Sequence, residues 1–599
     1  MALINRREFE YLEADSASTP RGIVFLLDMY GKWIYNEDRV FETFKGTEVF
    51  AKLREMINDG SFERIAREKF LDTDNWAYVT LLPKKGLGEE RDAELVQQLS
   101  EKKAALSKEE FEKIEEDAKK LEKYRETPDS DEALATIPTL LREDMTKTVL
   151  PVSNIERKIG NVPVWQHDYS GNGIVYIRLF FDLAGIKEEE IAPVSLITKI
   201  LSQVDTEKFS YSELDDEINL VSGGISFGCE CFANADDPDN YREYFRVKTK
   251  AKEDKLADVA GLIREILLNS KFDDKKHVYD MLNMVRSGLE YRLEGAGHVT
   301  GRLRSSATIK QKNYFDLKSG GIDFYKYVDA LLNDFDNRYP ELCRQFEELC
   351  SQIFTKGNLI VSVTAQDKAY SEFEKGFAEL INGLPAEGRF GKAEKMEEFV
   401  LPKGNEAFYT AGQVTYTSLV GECKDDLVKT GYAKVLTTIL NNDLLYPEIR
   451  VKGGAYGAFG SFFASDELIS MSTYRDSKVK ESVEVFKKAA DFVRDFEANE
   501  EQMTKYIIGT MSSDDFPLNP RQRGERSFDW MMRKLPTERA QRWRDELLST
   551  TAEDIRKFAP VLEKVVANGT LTSVGNESIL RENAALFDRI SPLLREEKK

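Results

Sequence analysis

Residues 173–185 read GIVYIRLFFDLAG and residues 413–422 read QVTYTSLVGE, and each run begins one copy of a repeated order of elements. Both copies continue through a helical region to a glycine pair, two β-type runs and an amphipathic helix. These later parts are INLVSGGISFGCECFA (218–233), YREYFRVKTKA (241–251) and EDKLADVAGLIREIL (253–267) in the first copy, and EIRVKGGAYGAFGSFFA (448–464), ELISMSTYRD (467–476) and SKVKESVEVFKKAADFVRDF (477–496) in the second. Because helices over one face of a mostly antiparallel sheet would bury such patterns, the sequence predicts an α+β fold with tandem homologous domains.

The duplication sets the expected domain boundaries. One domain is predicted at residues 151–395 and the next at residues 396–599. Residues 1–86 contain several helical patterns but one good strand pattern, NWAYVTLLP (75–83), which is too little sheet to close an α/β unit. Residues 1–86 are therefore predicted to be part of a domain.

Residues 87–150 are predicted to form a charged helical hairpin that links domains. The segment from Glu89 to Glu126 has no glycine or proline, and more than half of its residues are charged. Ser107 and Glu110 have the spacing of a capping box, which starts a second helix, and Thr127-Pro128-Asp129 is a stop signal. The mixed charge disfavours a nucleic-acid role for this segment.

Composition excludes several classes of protein. The chain has 599 residues, 41% hydrophobic, and a net charge of −21, so it is globular, and an acidic surface makes nucleic acid a poor partner. The same charge would attract cationic peptides, although it is also a common source of solubility. We expect no membrane partner, because the sequence shows neither an apolar run of spanning length nor a signal peptide. Five irregularly spaced cysteines favour a reducing compartment. The expected location is intracellular, in a bacterial cytoplasm, with an organelle matrix as the alternative.

The sequence has no recognisable metal or nucleophile motif. Its three histidines are His167, His277 and His298, and none belongs to an HxxEH or HExxH pattern, which would place two imidazoles on one helical face. Each is interpreted as structural, and no metal ligand is assigned. The GxSxG and GxxxxGK[ST] motifs are also missing.

The glycine run from Gly453 to Gly460 has two open interpretations. Glycines permit a close approach of backbones or a strand edge that pairs with an extended peptide. A bulge in a packed sheet fits the pattern equally well.

The same region carries a resemblance. YPEIRVKGGAYGAFG (446–460), with an arginine six residues before a tyrosine across a double glycine, resembles the C-terminal-half signature of the pitrilysin/insulinase superfamily of zinc metallopeptidases. Residues 5–36, 293–325 and 514–558 resemble its presequence-protease branch, which includes falcilysin, in the branch's own order. The resemblance covers essentially the whole chain.

The resemblance implies the C-terminal half of a clamshell. Members of this branch have two homologous halves of two domains each, which close around a peptide-holding chamber. By this resemblance residues 1–86 are the C-terminal remnant of the second domain, and residues 151–395 and 396–599 are the third and fourth. Zinc in the complete enzyme would be held by HxxEH and a more distant glutamate in the missing N-terminal half, so this chain alone is expected to bind no zinc and to be inactive.

Two residues take catalytic roles by similarity. Arg450 would anchor a substrate carbonyl or carboxylate, and Tyr456 would donate a hydrogen bond to the oxyanion that forms when zinc-bound water attacks the amide. The implied substrate-binding set is Arg450, Gly453, Gly454 and Tyr456. Without the resemblance, an arginine packed on a tyrosine ring would explain the pair.

The expected function is degradation of short unstructured peptides, basic ones included, by an enzyme in which this chain forms chamber wall and clamp. Its expected partners are those peptides and the missing N-terminal catalytic half. One alternative is a non-catalytic structural subunit that resembles the respiratory-complex core proteins, and Arg450 and Tyr456 argue against it. Another is a subunit that complements a separate zinc-bearing chain; a truncated fragment is preferred, because the chain opens with a partial domain.

Overall fold

A computed structural model describes residues 1–13, 19–127 and 129–595, apart from the side chains of residues 126 and 131. Pro128, part of the predicted stop signal, lies outside the described residues. The chain divides into two compact units, one made of residues 1–54 and 142–599 and the other of residues 55–141. The larger unit contains two six-stranded sheets, which confirms the predicted α+β class.

The first sheet has the strand order β1-β2-β6-β3-β5-β4. Neighbouring strands are antiparallel except for β2 and β6, which are parallel. The strands are β1 Ile155–Ile159, β2 Val162–His167, β3 Ile174–Asp182, β4 Ile225–Ala233, β5 Tyr241–Lys252 and β6 Leu359–Thr364.

The second sheet has the order β12-β7-β11-β8-β10-β9. Its strands are β7 Glu406–Thr410, β8 Thr415–Glu422, β9 Gly457–Phe463, β10 Leu468–Tyr474, β11 Thr570–Asn576 and β12 Arg589–Pro592. Five strands repeat the arrangement of the first sheet, with β9 in the edge position of β4 and β10 in the position of β5. The sixth strand differs, since β1 precedes its neighbour as an antiparallel hairpin whereas β12 comes from the end of the chain and pairs in parallel. The predicted duplication is therefore present in the fold.

Helices surround both sheets and form the smaller unit. In residues 1–141 the α-helices are α1 Ala2–Glu13, α2 Arg21–Trp33, α3 Gly46–Asn58, α4 Ser61–Ala66, α5 Leu87–Ala105, α6 Lys108–Glu126 and α7 Asp131–Leu134. Those that accompany the first sheet are α8 Glu188–Ile200, α9 Tyr211–Val221, α10 Leu256–Asn269, α11 Lys275–Gly295, α12 Gly297–Ser306, α13 Gln311–Gly320, α14 Ile322–Asn333, α15 Phe335–Ile353 and α16 Asp367–Gly383. Those that follow are α17 Gly431–Ile439, α18 Val479–Lys487, α19 Ala489–Arg494, α20 Glu500–Asp514, α21 Pro520–Met532, α22 Thr537–Ser549, α23 Ala552–Arg556, α24 Ala559–Asn568 and α25 Glu577–Glu582. Arg67–Leu71 and Leu440–Lys452 are π-helices.

Helix α12 covers the face of the second sheet, although it comes from the first half of the chain. Glycine makes this close approach possible, because a Cβ at Gly297 would lie 2.3 Å from the Tyr416 ring and one at Gly301 would lie 3.3 Å from Ser418 Oγ. Ser305 adds a hydrogen bond of 2.8 Å to the Thr572 hydroxyl.

Helix α21 covers the first sheet in the reciprocal way. A Cβ at Gly524 would lie 1.8 Å from Thr364 Oγ1, and the Phe528 ring stacks on Phe180 with centroids 4.8 Å apart. Strand β3 is consequently buried on both faces over most of its length, which explains its nearly continuous apolar sequence. Each half thus contributes a helix to the other half's sheet, and the two halves interlock.

The smaller unit, residues 55–141, contains the predicted charged helices. Helices α5 and α6 are separated at Leu106 and Ser107, and the capping box of Ser107 and Glu110 is formed. The strand predicted at residues 75–83 is wrong: no helix or strand forms there, and Trp76 is 73% exposed. A strand needs a partner for its backbone groups, and within the described part of the chain none is offered to this segment.

The domain limits expected from the sequence remain predictions. The first sheet lies within residues 151–395 and the second within residues 396–599, but the compact units divide the chain at residues 55 and 141. Among the described residues, no helix is both long enough and apolar enough to cross a bilayer.

Candidate functional site

The glycine pair Gly453–Gly454 ends a helix and begins the edge of the second sheet. Helix α17 continues into the π-helix Leu440–Lys452, and β9 starts three residues after the pair. A Cβ at Gly453 would lie 2.3 Å from the Ile449 carbonyl oxygen, and Gly454 has a φ of +84°. The Gly454 N–H donates to the Arg450 carbonyl over 2.9 Å, so the turn is a helix C-cap that needs glycine.

This turn brings the side chains of Arg450 and Tyr456 together. The Arg450 guanidinium carbon lies 5.3 Å from the centroid of the Tyr456 ring and 5.3 Å from that of Tyr446. Tyr456 is 63% exposed, and Arg450 is exposed as well. No carboxylate pairs with Arg450 among the side chains that the structure describes. An unpaired cation and a phenol therefore face solvent side by side, available to a ligand.

The glycine run forms a strand edge that is partly open. Strand β9 pairs with β10 on one side, and no described strand pairs with it on the other. Asn441, on the π-helix, closes this outer edge at Gly460: the Gly460 N–H donates to Asn441 Oδ1 over 2.6 Å, and Asn441 Nδ2 donates to the Gly460 carbonyl over 3.2 Å. Of the two interpretations of the run, a strand edge is the one observed, and its open part is limited to the end near Tyr456.

Strand β10 supports Tyr456 from behind. The Tyr456 N–H donates to the Tyr474 carbonyl over 3.0 Å and to the Arg475 carbonyl over 3.3 Å, and the rings of Tyr456 and Tyr474 lie 5.9 Å apart. Tyr474 could have been found from the sequence, because β9 and β10 form a hairpin whose register places Gly457 opposite Tyr474. Arg475, the next residue, could have been found in the same way.

His298 completes an aromatic platform that we define as His298, Tyr416, Phe459 and Tyr474. The His298 ring stands perpendicular to that of Tyr474 with centroids 5.0 Å apart, and it lies 5.8 Å from Phe459. Burial and the nearby Arg302 lower the pKa of His298, so its ring is neutral near pH 7. His298 Nδ1 is buried without a hydrogen-bond partner in the described structure. The sequence offers no signal for this contact, since His298 reaches β10 only because α12 crosses to the second sheet.

The other two histidines have structural surroundings. His167 is fully buried, with Nδ1 2.9 Å from the Ser153 carbonyl and Nε2 3.0 Å from Ser362 Oγ. His277 stacks on Tyr211 with ring centroids 4.1 Å apart. Within residues 1–13, 19–127 and 129–595, no three His, Cys, Asp or Glu side chains converge as a metal site would require. These described residues therefore do not fit a catalytic zinc ion.

Sequence families match two parts of the chain. Residues 81–331 match the family described as peptidase M16 (subfamily C) associated, and residues 405–576 match the family described as PreP C-terminal domain. Protein HypA of Clostridium perfringens is 31% identical over 99% of this chain and 60% of its own length. Presequence protease 1, chloroplastic/mitochondrial, of Arabidopsis thaliana is 27% identical over 96% of this chain and 53% of its own length.

This chain belongs to the pitrilysin (M16) superfamily, in its presequence-protease branch. The pitrilysin fold also appears in solved structures. A conserved protein from Enterococcus faecalis V583 has a TM-score of 0.51 at 12% identity, with 71% of this chain and 99% of that chain covered. A peptidase M16 inactive domain from Pseudomonas fluorescens has a TM-score of 0.50 at 16% identity, with 71% and 98% covered. Both support the fold of a pitrilysin-type half, and neither is close enough to inform on activity.

The chain spans 60% and 53% of the length of these two pitrilysin relatives, and it corresponds to their C-terminal part. Peptidases of this superfamily are generally zinc-dependent. The activity, substrates and partners of a whole pitrilysin-type enzyme are thus matters for proposal here.

Proposed function

We propose that this chain is the C-terminal half of a presequence-protease-like zinc endopeptidase that degrades short unstructured peptides in an enclosed chamber. The observation that carries this proposal is the pair of exposed, unpaired groups, Arg450 and Tyr456, beside the partly open edge of β9, in a chain of this superfamily. The zinc site is proposed to lie in an N-terminal half that acts together with this chain. An intracellular compartment, either a bacterial cytoplasm or an organelle matrix, is part of the proposal.

Arg450 is proposed to hold the substrate before reaction. Its guanidinium has five N–H donors in a planar fork, and a peptide carbonyl or carboxylate could accept two of them. Stacking on Tyr446 and Tyr456 limits the rotamers of Arg450, which lowers the entropic cost of binding.

Tyr456 is proposed to act on the transition state. When the scissile carbonyl becomes tetrahedral, its oxygen gains negative charge, and a phenolic O–H that is already aimed at it stabilises that charge more than the ground-state carbonyl. The bonds from the Tyr456 N–H to the carbonyls of Tyr474 and Arg475 fix the backbone from which this hydroxyl projects. The free end of β9 is available to align a peptide main chain.

The test uses a protein that joins this chain to the N-terminal region present in its relatives. We expect cleavage of a short unstructured peptide that stops when a chelator removes zinc. Arg450→Ala should raise KM as well as lower kcat, by about tenfold in kcat/KM, because a lost hydrogen bond to a charged group is worth about 1.5–3 kcal/mol. Arg450→Lys should recover part of the loss. An active joined protein in which Arg450→Ala has unaltered kinetics would contradict the assigned role, and an inactive joined protein would favour a non-catalytic subunit.

A further inference from the structure

A second arginine, Arg475, lies beside the candidate site and has no part in the proposed mechanism. It follows β10 directly, and its guanidinium carbon lies 5.6 Å from the centroid of the Tyr474 ring. Tyr474 in turn packs against Tyr456 with centroids 5.9 Å apart. Arg475 is exposed, so its guanidinium faces solvent one aromatic ring away from Tyr456.

The backbone of Arg475 is in a conformation that its side chain disfavours. Its φ is +52°, in the left-handed region that glycine adopts more readily than any residue with a Cβ. Such residues persist only where their surroundings hold them, and they are found preferentially at functional sites. Glycine would relieve this strain, so the presence of an arginine here points to a use for its side chain.

The residue after Arg475 is what holds the turn. Asp476 is 1% exposed, and it pairs with Thr415 through two backbone hydrogen bonds of 2.7 and 2.8 Å. Its carboxylate accepts hydrogen bonds from the Lys478 N–H over 2.9 Å and the Ser482 hydroxyl over 2.6 Å. Asp476 is therefore fully engaged in starting α18, and the neighbouring Arg475 is kept in one orientation.

Arg475 lacks an acidic partner. Its side chain interacts with the hydroxyl of Tyr416, and no carboxylate of the described residues forms an ion pair with it. The chain has 106 acidic and 85 basic residues, so a shortage of carboxylates does not explain this. Arg450, on the other side of Tyr456, is also unpaired, and Lys452 beside it is neutralised by Glu448 at 2.6 Å.

We propose that Arg475, presented on the aromatic platform, is a specificity residue that binds a carboxylate of the peptide held at Tyr456. The carboxylate could belong to an acidic side chain or to the C-terminus of the peptide, since a guanidinium fork recognises both in the same bidentate way. This inference rests on the proposed peptide-binding function of the same site. It also refines the expectation of basic substrates: the overall charge attracts cationic peptides, but the residue that lies against Tyr474 is acidic or terminal.

The experiment measures binding of four fluorescein-labelled extended peptides to the unaltered 599-residue chain by fluorescence anisotropy. The peptides have equal length and combine Glu or Gln at a central position with a free or amidated C-terminus. We expect the free carboxylate that is recognised to strengthen binding about tenfold, and the pair of peptides that shows the difference identifies its source. Arg475→Gln should remove this preference and leave the Gln-amide peptide unaffected, and Arg475→Lys should retain part of it.

Two further variants separate recognition from structure. Arg338→Gln is the matched control, because Arg338 also lies over a tyrosine ring, Tyr327 at 5.8 Å, outside the candidate site; it should leave all four affinities unchanged. Arg475→Gly should abolish the carboxylate preference while the thermal midpoint stays level or rises, as relief of the left-handed strain requires.

The outcomes are distinguishable. Binding of the four peptides with equal affinity would overturn this inference alone and leave the proposed function in place. Equal weakening of all four peptides by Arg475→Gln, with a lower thermal midpoint in Arg475→Gly, would show a structural role and also overturn it. If none of the peptides bound to the unaltered chain, the proposed function and this inference would fail together.

Discussion

The two halves of the larger unit use the same backbone turn in different ways. Gly223–Gly224 precedes the edge strand β4 in the first half, as Gly453–Gly454 precedes β9 in the second. Both second glycines have positive φ, +107° at Gly224 and +84° at Gly454. The position of Tyr456 is occupied by Ser226 in the first copy. The glycine pair is therefore a property of the duplicated fold, and the side chains around it make one copy a candidate site.

The first copy of the turn is covered by the chain itself. Helix α1 lies over it, with the Phe9 ring 3.0 Å from a Cβ built at Gly223, and Asn5 donates to the Leu220 carbonyl over 3.1 Å. Glu8 pairs with Lys252 at 2.7 Å, and Glu13 pairs with Lys250. The equivalent surface of the second half is exposed. What the comparison teaches is that this position on the sheet edge suits a docked segment, which is internal in one half and, by our proposal, a peptide in the other.

The largest expected effect separates the two copies by catalysis. In the protein completed by an N-terminal half, Tyr456→Phe should lower kcat about 100-fold or more, roughly 3 kcal/mol, with little change in KM, because the lost bond forms in the transition state. Ser226→Ala, at the equivalent position of the first half, should leave steady-state kinetics unchanged. Near-normal turnover of Tyr456→Phe would remove the distinction and return Tyr456 to a packing role.

The covering helices should differ in their response to acid. Burial lowers the pKa of His167, beneath α21, to about 4, whereas an unfolded histidine titrates near 6.5. The neutral ring stabilises the fold fully above pH 6.5, and this contribution is lost as pH falls toward 4, because the unfolded chain takes up the proton first. The loss amounts to about 3 kcal/mol at most. The hydroxyls of Ser305 and Thr572, beneath α12, do not titrate in this range.

The measurement is the thermal midpoint between about pH 7 and about pH 4.5 for the unaltered chain and for His167→Gln. His167→Gln lowers stability at neutral pH but should have the flatter pH profile, while Ser305→Ala should shift the profile without changing its shape. Parallel profiles for the unaltered chain and His167→Gln would show that His167 is protonated in the folded protein.

A smaller effect tests the docking of α1. Phe9 is 5% exposed and packs with Ile174 and Tyr176, so Phe9→Ala should weaken docking by about 2 kcal/mol and raise the fraction of detached helix about 30-fold. Hydrogen exchange of residues 2–13 reports this change. Leu3→Ala is the control on the same helix, since Leu3 is 67% exposed. Unchanged exchange in Phe9→Ala would mean that the ion pairs of Glu8 and Glu13 hold the helix without the ring.

Sequence patterns predicted what depends on local order. The duplication, the α+β class and the Ser107–Glu110 capping box are confirmed, because periodicity and capping are properties of neighbouring residues. The proximity of Arg450 and Tyr456 follows from a single turn in the same way, and their roles remain predictions. The contact of His298 was not predicted, since it reaches Tyr474 only through the crossing of α12 to the second sheet. The predicted strand at residues 75–83 failed for a related reason, because a pattern does not show whether a partner strand is present.

The smallest expected effect compares the glycine turns directly. A Cβ at Gly224 or at Gly454 meets no atom within 4 Å, so alanine at either position is opposed by the positive φ alone. Gly224→Ala and Gly454→Ala should therefore cost a similar amount, about 1 kcal/mol, which thermal unfolding of the chain can measure. Only Gly454→Ala should also weaken peptide binding, by a few-fold, because it shifts the backbone between Arg450 and Tyr456. The site of Gly224 is covered by α1, so its substitution has no route to a bound peptide. Equal losses of peptide affinity in the two variants would show that the first edge also takes part in binding, and the contrast between a covered copy and an open copy would have to be abandoned.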